Sequence, residues 1–259
     1  MIKIATWNVN SIAARLDRAK AFVGRENPDI LCLQELKCIS EKFPRKEFEE
    51  LGYECAVWGQ KAYNGVAILS RHPLEIRYQG FGWEFGGIPE ASRVLAVRTQ
   101  GIEAICVYCP NGQAVGSEKY TYKLEWYEKL HEFLTKNYRP KDKVILCGDF
   151  NVAPEDRDCY NPDAWRDQVL FSDPEKAALT KVCATGLKDT FRKHHADGGL
   201  YSWWDYRQLA FQKSRGLRID FILASNALYE QCTRARIDRD ERKGTSPSDH
   251  APVIAEFET

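Results

Sequence analysis

Short apolar runs rich in isoleucine and valine recur along the whole chain, and polar or turn residues separate them. Runs of this length and composition are typical of β-strands with at least one buried face. We predict strands at Ile2–Trp7, Ile30–Gln34, Gly65–Ser70, Val94–Val97, Ala104–Tyr108, Val144–Cys147, Ile219–Ala224 and Val253–Phe257.

Between these strands lie segments whose apolar residues recur at helical spacing. Helices are predicted at Ile12–Gly24, Tyr120–Tyr138 and Pro174–Thr185. The pattern is clearest in the second, where Leu124, Tyr127 and Leu130 share one face. The third begins with proline, and Asp173 before it is predicted as the N-cap. Strands and helices thus mix throughout, which fits either two packed sheets with helices outside or one doubly wound sheet.

No low-complexity segment or proline-rich linker interrupts the 259 residues of the chain. We therefore predict a single domain, residues 1–259, which is long enough to bury a sizeable core. One internal similarity stands out within it. The segment Ile4–Asn10 resembles Leu146–Val152, because each is an apolar strand that leads to an aromatic residue and then to Asn-Val. This indicates either chance or a duplicated half whose two asparagine turns meet at one site.

The charges of the chain cancel, with 37 basic and 37 acidic residues. Composition therefore gives no sign of a polyanionic partner, and a nucleic-acid binder of this composition has to gather its basic residues on one face.

The nine cysteines are odd in number and irregular in spacing, and several lie in apolar runs. We read them as buried free thiols. Cys106 and Cys109 form a lone CxxC without the further ligands that structural zinc requires. The N-terminal segment lacks the pattern of a secretory signal, and no apolar run reaches the ~18 residues of a membrane span. These features predict a cytoplasmic protein without a membrane partner.

Polar side chains that bear chemistry cluster at the ends of the apolar runs. Five segments carry them: Trp7–Asn10, Leu33–Lys37, Gly148–Asn151, Arg218–Phe221 and Ser248–His250. Each segment alone is better explained as a helix cap or a turn than as part of a site. Together they predict one binding site, because the tips of buried strands converge on one edge of a sheet.

The donor atoms in these segments suit a hard divalent cation. Magnesium prefers oxygen ligands, and Glu35, Asp249 and the amide oxygens of Asn8 or Asn10 supply them. The chain has no HExxH pattern and no histidine–cysteine cluster, which disfavours zinc.

The remaining groups fit the hydrolysis of a phosphodiester, which needs an activated water and neutralisation of charge on the phosphorus oxygens. Asp149 can orient or deprotonate the water, and Asn151 can position it. His250 can donate to a phosphoryl oxygen, and Asp220 can hold its imidazole aligned and protonated.

Seven motifs of the chain, read in order, resemble the signature blocks of one enzyme family. They are TWNVN, LQELK, NGVAILS, GDFNVAP, YSWWDYR, GLRIDFILAS and PSDHAPV. The set is similar to that of the exonuclease III family of abasic-site endonucleases, within the endonuclease/exonuclease/phosphatase superfamily. It spans nearly the whole chain, and the YSWWDYR and GLRIDFIL blocks point to the DNA-repair branch.

The resemblance implies a fold and an activity. The fold is a four-layer α/β sandwich, in which two packed β-sheets with pseudo-twofold halves are flanked by helices. The activity is Mg²⁺-dependent, with Mn²⁺ as a substitute, and the partner is double-stranded DNA. The enzyme incises 5′ of abasic sites, or removes nucleotides and blocking groups from 3′ ends, and we expect a monomer.

The resemblance also implies roles for individual residues. Glu35 matches the principal metal ligand, with Asn8 and Asp249 nearby. Asp149 matches the carboxylate that activates water, and it shares with Asn151 the capacity to hold a second metal. Asp220 and His250 match the acid–histidine pair at the phosphate. Tyr108 matches the tyrosine that contacts the scissile phosphate, and Asn111 lies on the same loop as Tyr108.

Substrate contacts follow from the aromatic segment. The resemblance makes Trp203, Leu217 and Ile219 the walls of an apolar pocket that admits a flipped sugar without a base. The alternative is that Trp203 belongs to a core strand. Three basic residues are candidate phosphate contacts: Arg207, Lys213 and Arg215.

Two positions depart from the pattern of some family members. Asn10 stands where those members have aspartate, so it can offer only an amide to a metal. The loop Gly112–Val115 contains no arginine to insert into a DNA groove, which weakens the expected grip on the strand opposite a lesion.

Two other functions are compatible with parts of the sequence. One is a superfamily phosphoesterase that acts on inositol phosphates, sphingomyelin or poly(A), although these share the metal site and not the tryptophan segment. The other is a binding module that has lost catalysis, although the complete set of acidic, amide and histidine residues argues against it.

Overall fold

Two six-stranded mixed sheets form the centre of the protein, whose computed structural model describes residues 1–139 and 141–258. The strands are β1 Ile2–Asn8, β2 Ile30–Gln34, β3 Glu54–Trp58, β4 Val66–Ser70, β5 Glu75–Gln79, β6 Glu84–Phe85, β7 Ile88–Pro89, β8 Val94–Thr99, β9 Ile102–Tyr108, β10 Val144–Asp149, β11 Leu187–Asp189, β12 Asp220–Ser225, β13 Cys232–Ile237 and β14 Val253–Phe257. The predicted domain, residues 1–259, is thus described except for residues 140 and 259.

Helices lie between and beside these strands. They are α1 Ile12–Glu26, α2 Arg45–Glu49, α3 Glu118–Asn137, α4 Pro162–Trp165, α5 Asp173–Cys183, α6 Thr190–His194 and α7 Asn226–Tyr229, with 3₁₀ turns at Ser40–Lys42, Asp156–Asp158, Arg207–Leu209 and Arg239–Arg242. Among the helices of residues 1–139 and 141–258, none is both long enough and apolar enough to span a bilayer.

The two sheets have the same topology. One has the order β13-β14-β1-β2-β4-β3 and the other β11-β12-β10-β9-β8-β5. In each, one central strand pairs in parallel with one neighbour and antiparallel with the other: β1 with β2 and β14, and β10 with β9 and β12. This equivalence supports the pseudo-twofold halves, and it places the similar segments Ile4–Asn10 and Leu146–Val152 on equivalent strands.

Three apolar layers pack the sandwich. The inner faces of the two sheets meet in a cluster that includes Ile4, Ile68 and Ile145. The outer face of the first sheet packs against α1, and the outer face of the second packs against α3 and α5. The four-layer α/β sandwich is therefore confirmed, and the doubly wound sheet is excluded.

The predicted boundaries are close to those observed, with one instructive difference. Ser172, and not Asp173, precedes the helix α5, whose first residue is Asp173. The backbone amide of Ser172 donates to the carboxylate of Glu175 at 3.0 Å. A glutamate three residues after a serine is the pattern of a capping box. This pattern, and not the aspartate before proline, determines where the helix begins.

Candidate active site

The central strands of both sheets end at one edge of the sandwich. Asn8 ends β1 beside Gln34 of the parallel strand β2, and Asp149 ends β10 beside Tyr108 of β9. Asp220, the first residue of the antiparallel strand β12, lies opposite Asp149. The predicted convergence of strand tips on one edge is therefore what the structure shows.

Three candidate residues at this edge adopt left-handed backbone conformations. The φ angles of Asn10, Glu35 and Asn151 are 46°, 53° and 50°. Such angles are uncommon for residues other than glycine and cluster at functional sites, where the surrounding structure holds them. Here they turn the chain sharply after β1, β2 and β10, so that the side chains point back to the edge.

Asn8 joins the two halves of the molecule through its carboxamide. Its Nδ2 donates to Glu35 Oε1 at 3.0 Å and to Asp149 Oδ2 at 2.9 Å. Its Oδ1 accepts the backbone N–H of Asn10 at 3.0 Å. In this arrangement Asn8 orients two carboxylates, and its Oδ1, which accepts the N–H of Asn10, keeps a second lone pair that a cation could use.

Asp149 is buried and densely hydrogen-bonded. Besides Asn8, its carboxylate accepts the backbone N–H of Asn151 at 2.9 Å and the Asn151 side chain at 3.2 Å. Burial raises the pKa of Asp149 to about 7, although the nearby His250 lowers it and Asp220 adds to the increase. A carboxylate whose pKa lies near neutrality is suited to accept a proton from water.

His250 lies between two carboxylates. Its Nδ1 is 2.9 Å from Asp220 Oδ2, and its Nε2 is 3.7 Å from Asp149 Oδ2. Burial lowers the pKa of His250, but Asp220 and Asp149 outweigh burial and raise it to about 10. Asp220 is itself held by Ser202, whose hydroxyl donates at 2.6 Å. The predicted acid–histidine pair is present, and its raised pKa favours the protonated imidazole at neutral pH.

A cation has suitable ligands beside this pair. Glu35, Asp149 and His250 each offer one ligand atom, and these atoms lie within 4.8 Å of one another. Because the protonated imidazole has no free lone pair, the carboxylates of Glu35 and Asp149 are the ligands that remain. Oxygen donors of this kind fit a hard divalent ion.

Lys37 provides an independent sign that positive charge belongs here. Its ammonium lies 3.0 Å from Glu35 Oε2 and donates to Asn10 Oδ1. Lys37 belongs to the LQELK motif but is not among the site residues that the sequence predicts. Its contacts depend on the left-handed turn at Glu35, which residue types alone do not reveal.

Asp249 and Asn10 form a neighbouring group. Asn10 Nδ2 donates to Asp249 Oδ1 at 2.9 Å, and Trp203 Nε1 donates to Asp249 Oδ2 at 3.0 Å. Burial raises the pKa of Asp249, but His250 and these two hydrogen bonds outweigh burial and hold it below its ordinary value. Asp249 is thus an ionised carboxylate, as a metal ligand must be.

The loops that follow β9 and β10 carry Asn111 and Asn151. Asn111 Nδ2 donates to Asn151 Oδ1 at 3.2 Å, and Asn151 Nδ2 donates to the carbonyl oxygen of Cys109 at 2.9 Å. Tyr108 lies nearby, and Arg93 stacks 4.7 Å from its ring centroid. Burial, reinforced by the charge of Glu35, raises the pKa of Tyr108 well above its usual value, so its hydroxyl stays a donor.

The structure brings the three predicted pocket residues together. Trp203, Leu217 and Ile219 belong to one apolar cluster with Leu170, and Trp165 contacts Trp203 edge to face at 6.5 Å between ring centroids. Leu217 and Ile219 are fully buried, whereas Trp203 is partly exposed. Among these three residues, Trp203 is therefore the one whose side chain solvent can reach, and Leu217 and Ile219 pack in the cluster beside it.

The predicted phosphate contacts lie in an exposed segment. Arg207 forms a bidentate ion pair with Asp205, with Nε 2.9 Å from Oδ1 and Nη2 2.6 Å from Oδ2. Lys213 and Arg215 are exposed on the same segment. Among the described residues, the hydrogen-bond partner of the Arg207 guanidinium is Asp205 and no carboxylate of the site, and this pairing reduces the charge available to a phosphate.

Further residues support the site without having been predicted. Arg15 of α1 donates to the Tyr206 hydroxyl at 3.0 Å and to the Pro247 carbonyl oxygen at 3.2 Å. The Ser248 hydroxyl donates to the Asn8 carbonyl oxygen at 2.7 Å. Ser248 could have been noticed in the SDH motif, whereas nothing in the sequence pairs Arg15 with residues that lie far along the chain.

Comparison with known proteins gives consistent matches. The model of the endonuclease/exonuclease/phosphatase family matches residues 5–250. The chain is 33% identical to exodeoxyribonuclease III of Haemophilus influenzae, over 99% of this chain and 100% of the relative.

Two solved structures match the complete chain over their own full length. One is a 3′ phosphatase from Neisseria bound to a product DNA hairpin, with a TM-score of 0.94 and 40% identity. The other is an AP endonuclease from Archaeoglobus fulgidus, with a TM-score of 0.95 and 38% identity.

Proposed function

This chain belongs to the endonuclease/exonuclease/phosphatase family and is a DNA repair nuclease of the exonuclease III type, and on that premise we propose that it uses Mg²⁺ at abasic sites and 3′ ends of duplex DNA. The observation that carries the proposal is the placement of His250 between Asp220 and Asp149, beside the carboxylate of Glu35. This arrangement offers a proton acceptor, a fixed positive charge and cation ligands at one edge of the sandwich.

Asp149 is the proposed base. With its pKa near 7, its carboxylate can take a proton from water, and the amides of Asn8 and Asn151 fix its orientation. Asn151 holds the loop at the angle that this contact requires. The attack breaks one phosphorus–oxygen bond of the DNA backbone and forms another to the water oxygen.

His250 is the proposed phosphate contact. Its imidazolium can donate to a phosphoryl oxygen on which negative charge grows, while Asp220 keeps the ring charged and oriented. Tyr108 and Asn111 are proposed to donate to the same phosphate from the next loop. These donors are already fixed by the fold, so little reorganisation accompanies the reaction.

The proposed ligands of Mg²⁺ are Glu35 and Asp149, with Asp249 and the amide oxygens of Asn8 and Asn10 as the neighbouring oxygen donors, and Mn²⁺ is the proposed substitute. A bound cation neutralises phosphate oxygens and stabilises the leaving oxygen. Asn151 together with Asp149 is the proposed place for a second ion. When a cation binds Glu35, the ammonium group of Lys37 has either to move away from that carboxylate or to share it with the cation.

The proposed substrate pocket lies at Trp203, which contacts the sugar of an abasic nucleotide, with Leu217 and Ile219 beneath. An abasic nucleotide has no base to unstack, so its extrusion from the duplex costs less than that of an intact one. Arg207 is a proposed contact to the DNA backbone once its ion pair with Asp205 opens.

We also propose that the protein acts as one domain and as a monomer, because the strand ends of both sheets together supply the base, the acid–histidine pair and the cation ligands of the candidate site. A reducing, cytoplasmic location is proposed because all nine cysteines are free in the part of the chain that the structure describes.

A single assay tests the substrate proposal. The purified protein receives three labelled duplexes, one abasic, one with a recessed 3′ end and one with a 3′ phosphate, and in a parallel reaction a phosphoinositide, each with Mg²⁺ and with chelator. Mg²⁺-dependent turnover of at least one duplex is expected, and the ratio among them defines the activity. Turnover of a phosphoinositide with none of the duplexes cleaved would favour the alternative phosphoesterase.

A further inference from the structure

Lys123 of helix α3 is fully buried, which is unusual for a lysine. Its ammonium group donates to three oxygens: the carbonyl of Asn111 at 3.1 Å, the carbonyl of Asn151 at 2.6 Å and the carboxylate of Glu175, which is equally buried. An ammonium has three donors, so all of them are used.

Two of these oxygens belong to the loops that carry site residues. Asn151 has a left-handed backbone and binds Asp149 through its side chain, and Asn111 binds Asn151 through its own. Lys123 therefore fixes the backbone of both loops through the carbonyl oxygens of Asn111 and Asn151, and not through their carboxamide groups. The packing is close, because a Cβ added at Gly112 would lie 3.0 Å from Cδ of Lys123.

The third oxygen connects Lys123 to the apolar cluster around Trp203. Glu175 accepts the backbone N–H of Leu170 at 3.0 Å, in addition to that of Ser172. Leu170 packs in the same cluster as Trp203, Leu217 and Ile219. One buried ion pair thus fixes the loop behind Asn151 and the loop that packs beside Trp203.

We propose that Lys123, together with Glu175, is a positioning residue that sets the geometry of Asn151 and Asn111 for the reaction. The alternative is a purely structural role, in which the pair only joins α3 to α5. Buried ion pairs often add little to stability compared with apolar or neutral replacements, so a role in stability alone does not require these charges. The inference rests on the proposed role of Asn151 and has to be tested separately from it.

The decisive variant is Lys123→Met/Glu175→Gln, which leaves no buried charge unpaired. Glutamine retains one of the two capping contacts, because its oxygen can accept the N–H of Ser172 whereas its NH₂ group cannot accept that of Leu170. Glu175→Gln alone is therefore the control for the lost Leu170 contact, while methionine fills the space of the lysine stem. Lys123→Met alone leaves Glu175 unpaired and is expected to lower the thermal midpoint. The matched control is Lys181→Met, because Lys181 and Glu128 form an exposed ion pair between the same two helices.

Single-turnover rates are measured with Mg²⁺ on the abasic duplex and on a thymidine nitrophenyl diester, at a temperature where circular dichroism shows each variant folded. We expect the double variant to lose about 10- to 10²-fold in rate on both substrates, because small misplacements of reacting groups are costly, with little change in KM. The Lys181→Met rate should stay within about twofold of wild type, as for a surface substitution.

A double-mutant cycle with Asn151→Ala shows whether Lys123 and Glu175 act through Asn151 or independently of it. If Lys123 acts through Asn151, adding Asn151→Ala to the double variant lowers the rate much less than it does in the wild type. If the double variant is folded and fully active while Asn151→Ala is slow, the inference about Lys123 is wrong and the proposed role of Asn151 still stands. If Asn151→Ala itself keeps the wild-type rate, the proposed role of Asn151 fails first.

Discussion

The indole Nε1 of Trp203 donates a 3.0 Å hydrogen bond to Oδ2 of Asp249. The aromatic residue proposed to contact the sugar is therefore also a hydrogen-bond partner of a proposed metal ligand. Substitution of Trp203 consequently has two separable effects, one on the substrate pocket and one on the carboxylate.

Two variants distinguish these effects. Trp203→Ala should weaken abasic-site incision by about 1–3 kcal/mol, the range found when an aromatic residue that contacts nucleotides is removed. Trp203→Phe keeps an aromatic surface but removes the N–H, so it should mainly raise the Mg²⁺ concentration that gives half-maximal rate. Rates on the abasic duplex and the thymidine diester, measured over a Mg²⁺ series, check both expectations.

Equal losses on both substrates at saturating Mg²⁺, in a Trp203→Ala protein that remains folded, would show that Trp203 is only part of the core. The comparison of the two substrates is the control, because the small diester does not reach the apolar cluster.

Glu35→Gln tests the cation site. The change keeps the shape of the side chain and its contact with Asn8 but removes the charge that holds a hard cation. We expect activity at limiting Mg²⁺ to fall by about 10²-fold, with partial recovery at high Mg²⁺ or with Mn²⁺. A variant with unchanged rate and unchanged Mg²⁺ dependence would remove Glu35 from the ligand set.

Lys37→Met is the companion variant, because Lys37 contacts the same carboxylate. Loss of its charge should increase the affinity for Mg²⁺, since the ammonium no longer competes for Glu35. Isothermal titration with Mg²⁺ checks the direction, and weaker binding would show that Lys37 helps to shape the site.

The central strands were predictable because they are buried. Strands such as β2 and β10 lie between two sheet neighbours and two packed layers, so they appear as unbroken apolar runs in the sequence. The edge strand β5 is largely exposed, and its residues therefore give no such signal. The edge strands β11 and β13 give no such signal either, because β11 has only three residues and only two of the six residues of β13 are buried.

The reacting groups were predictable for a different reason. Asp149, Asp220 and His250 follow or begin apolar runs, and strand ends that share an edge have to meet. The contacts that orient them were not predictable. Whether Asn8 presents its oxygen or its N–H₂ group depends on Asn10 behind it, and the buried position of Lys123 depends on how α3 packs.

The groups around the phosphate should act as a unit. Asp149→Asn and His250→Ala are each expected to lower the single-turnover rate by roughly 10³-fold with nearly unchanged DNA binding, because they act on the transition state. Asp220→Asn should be milder, since the imidazole remains in place. The double variant of Asp220 and His250 should fall short of additivity, and strict additivity in single-turnover kinetics would reject the pair.

The last prediction concerns pH and the charge on His250. In the folded, metal-free protein the pKa of His250 is raised from 6.5 to about 10, because Asp220 and Asp149 outweigh burial. A raised pKa means that the folded state holds the proton more tightly. The stabilisation is therefore complete below pH 6.5 and is lost as pH rises through 10.

His250→Asn removes this contribution. In chelator, the free energy of unfolding of the wild type should exceed that of the variant most at low pH, and the difference should shrink toward pH 10. Asp149, whose pKa is raised to about 7, loses its own contribution as pH rises through that value. Because His250 itself lowers the pKa of Asp149, its replacement raises that pKa, and the comparison is therefore made in an Asp149→Asn background. Denaturant titrations between pH 8 and 10 in that background report on His250 alone, and a difference that stays constant there would show that the imidazole is neutral in the folded protein.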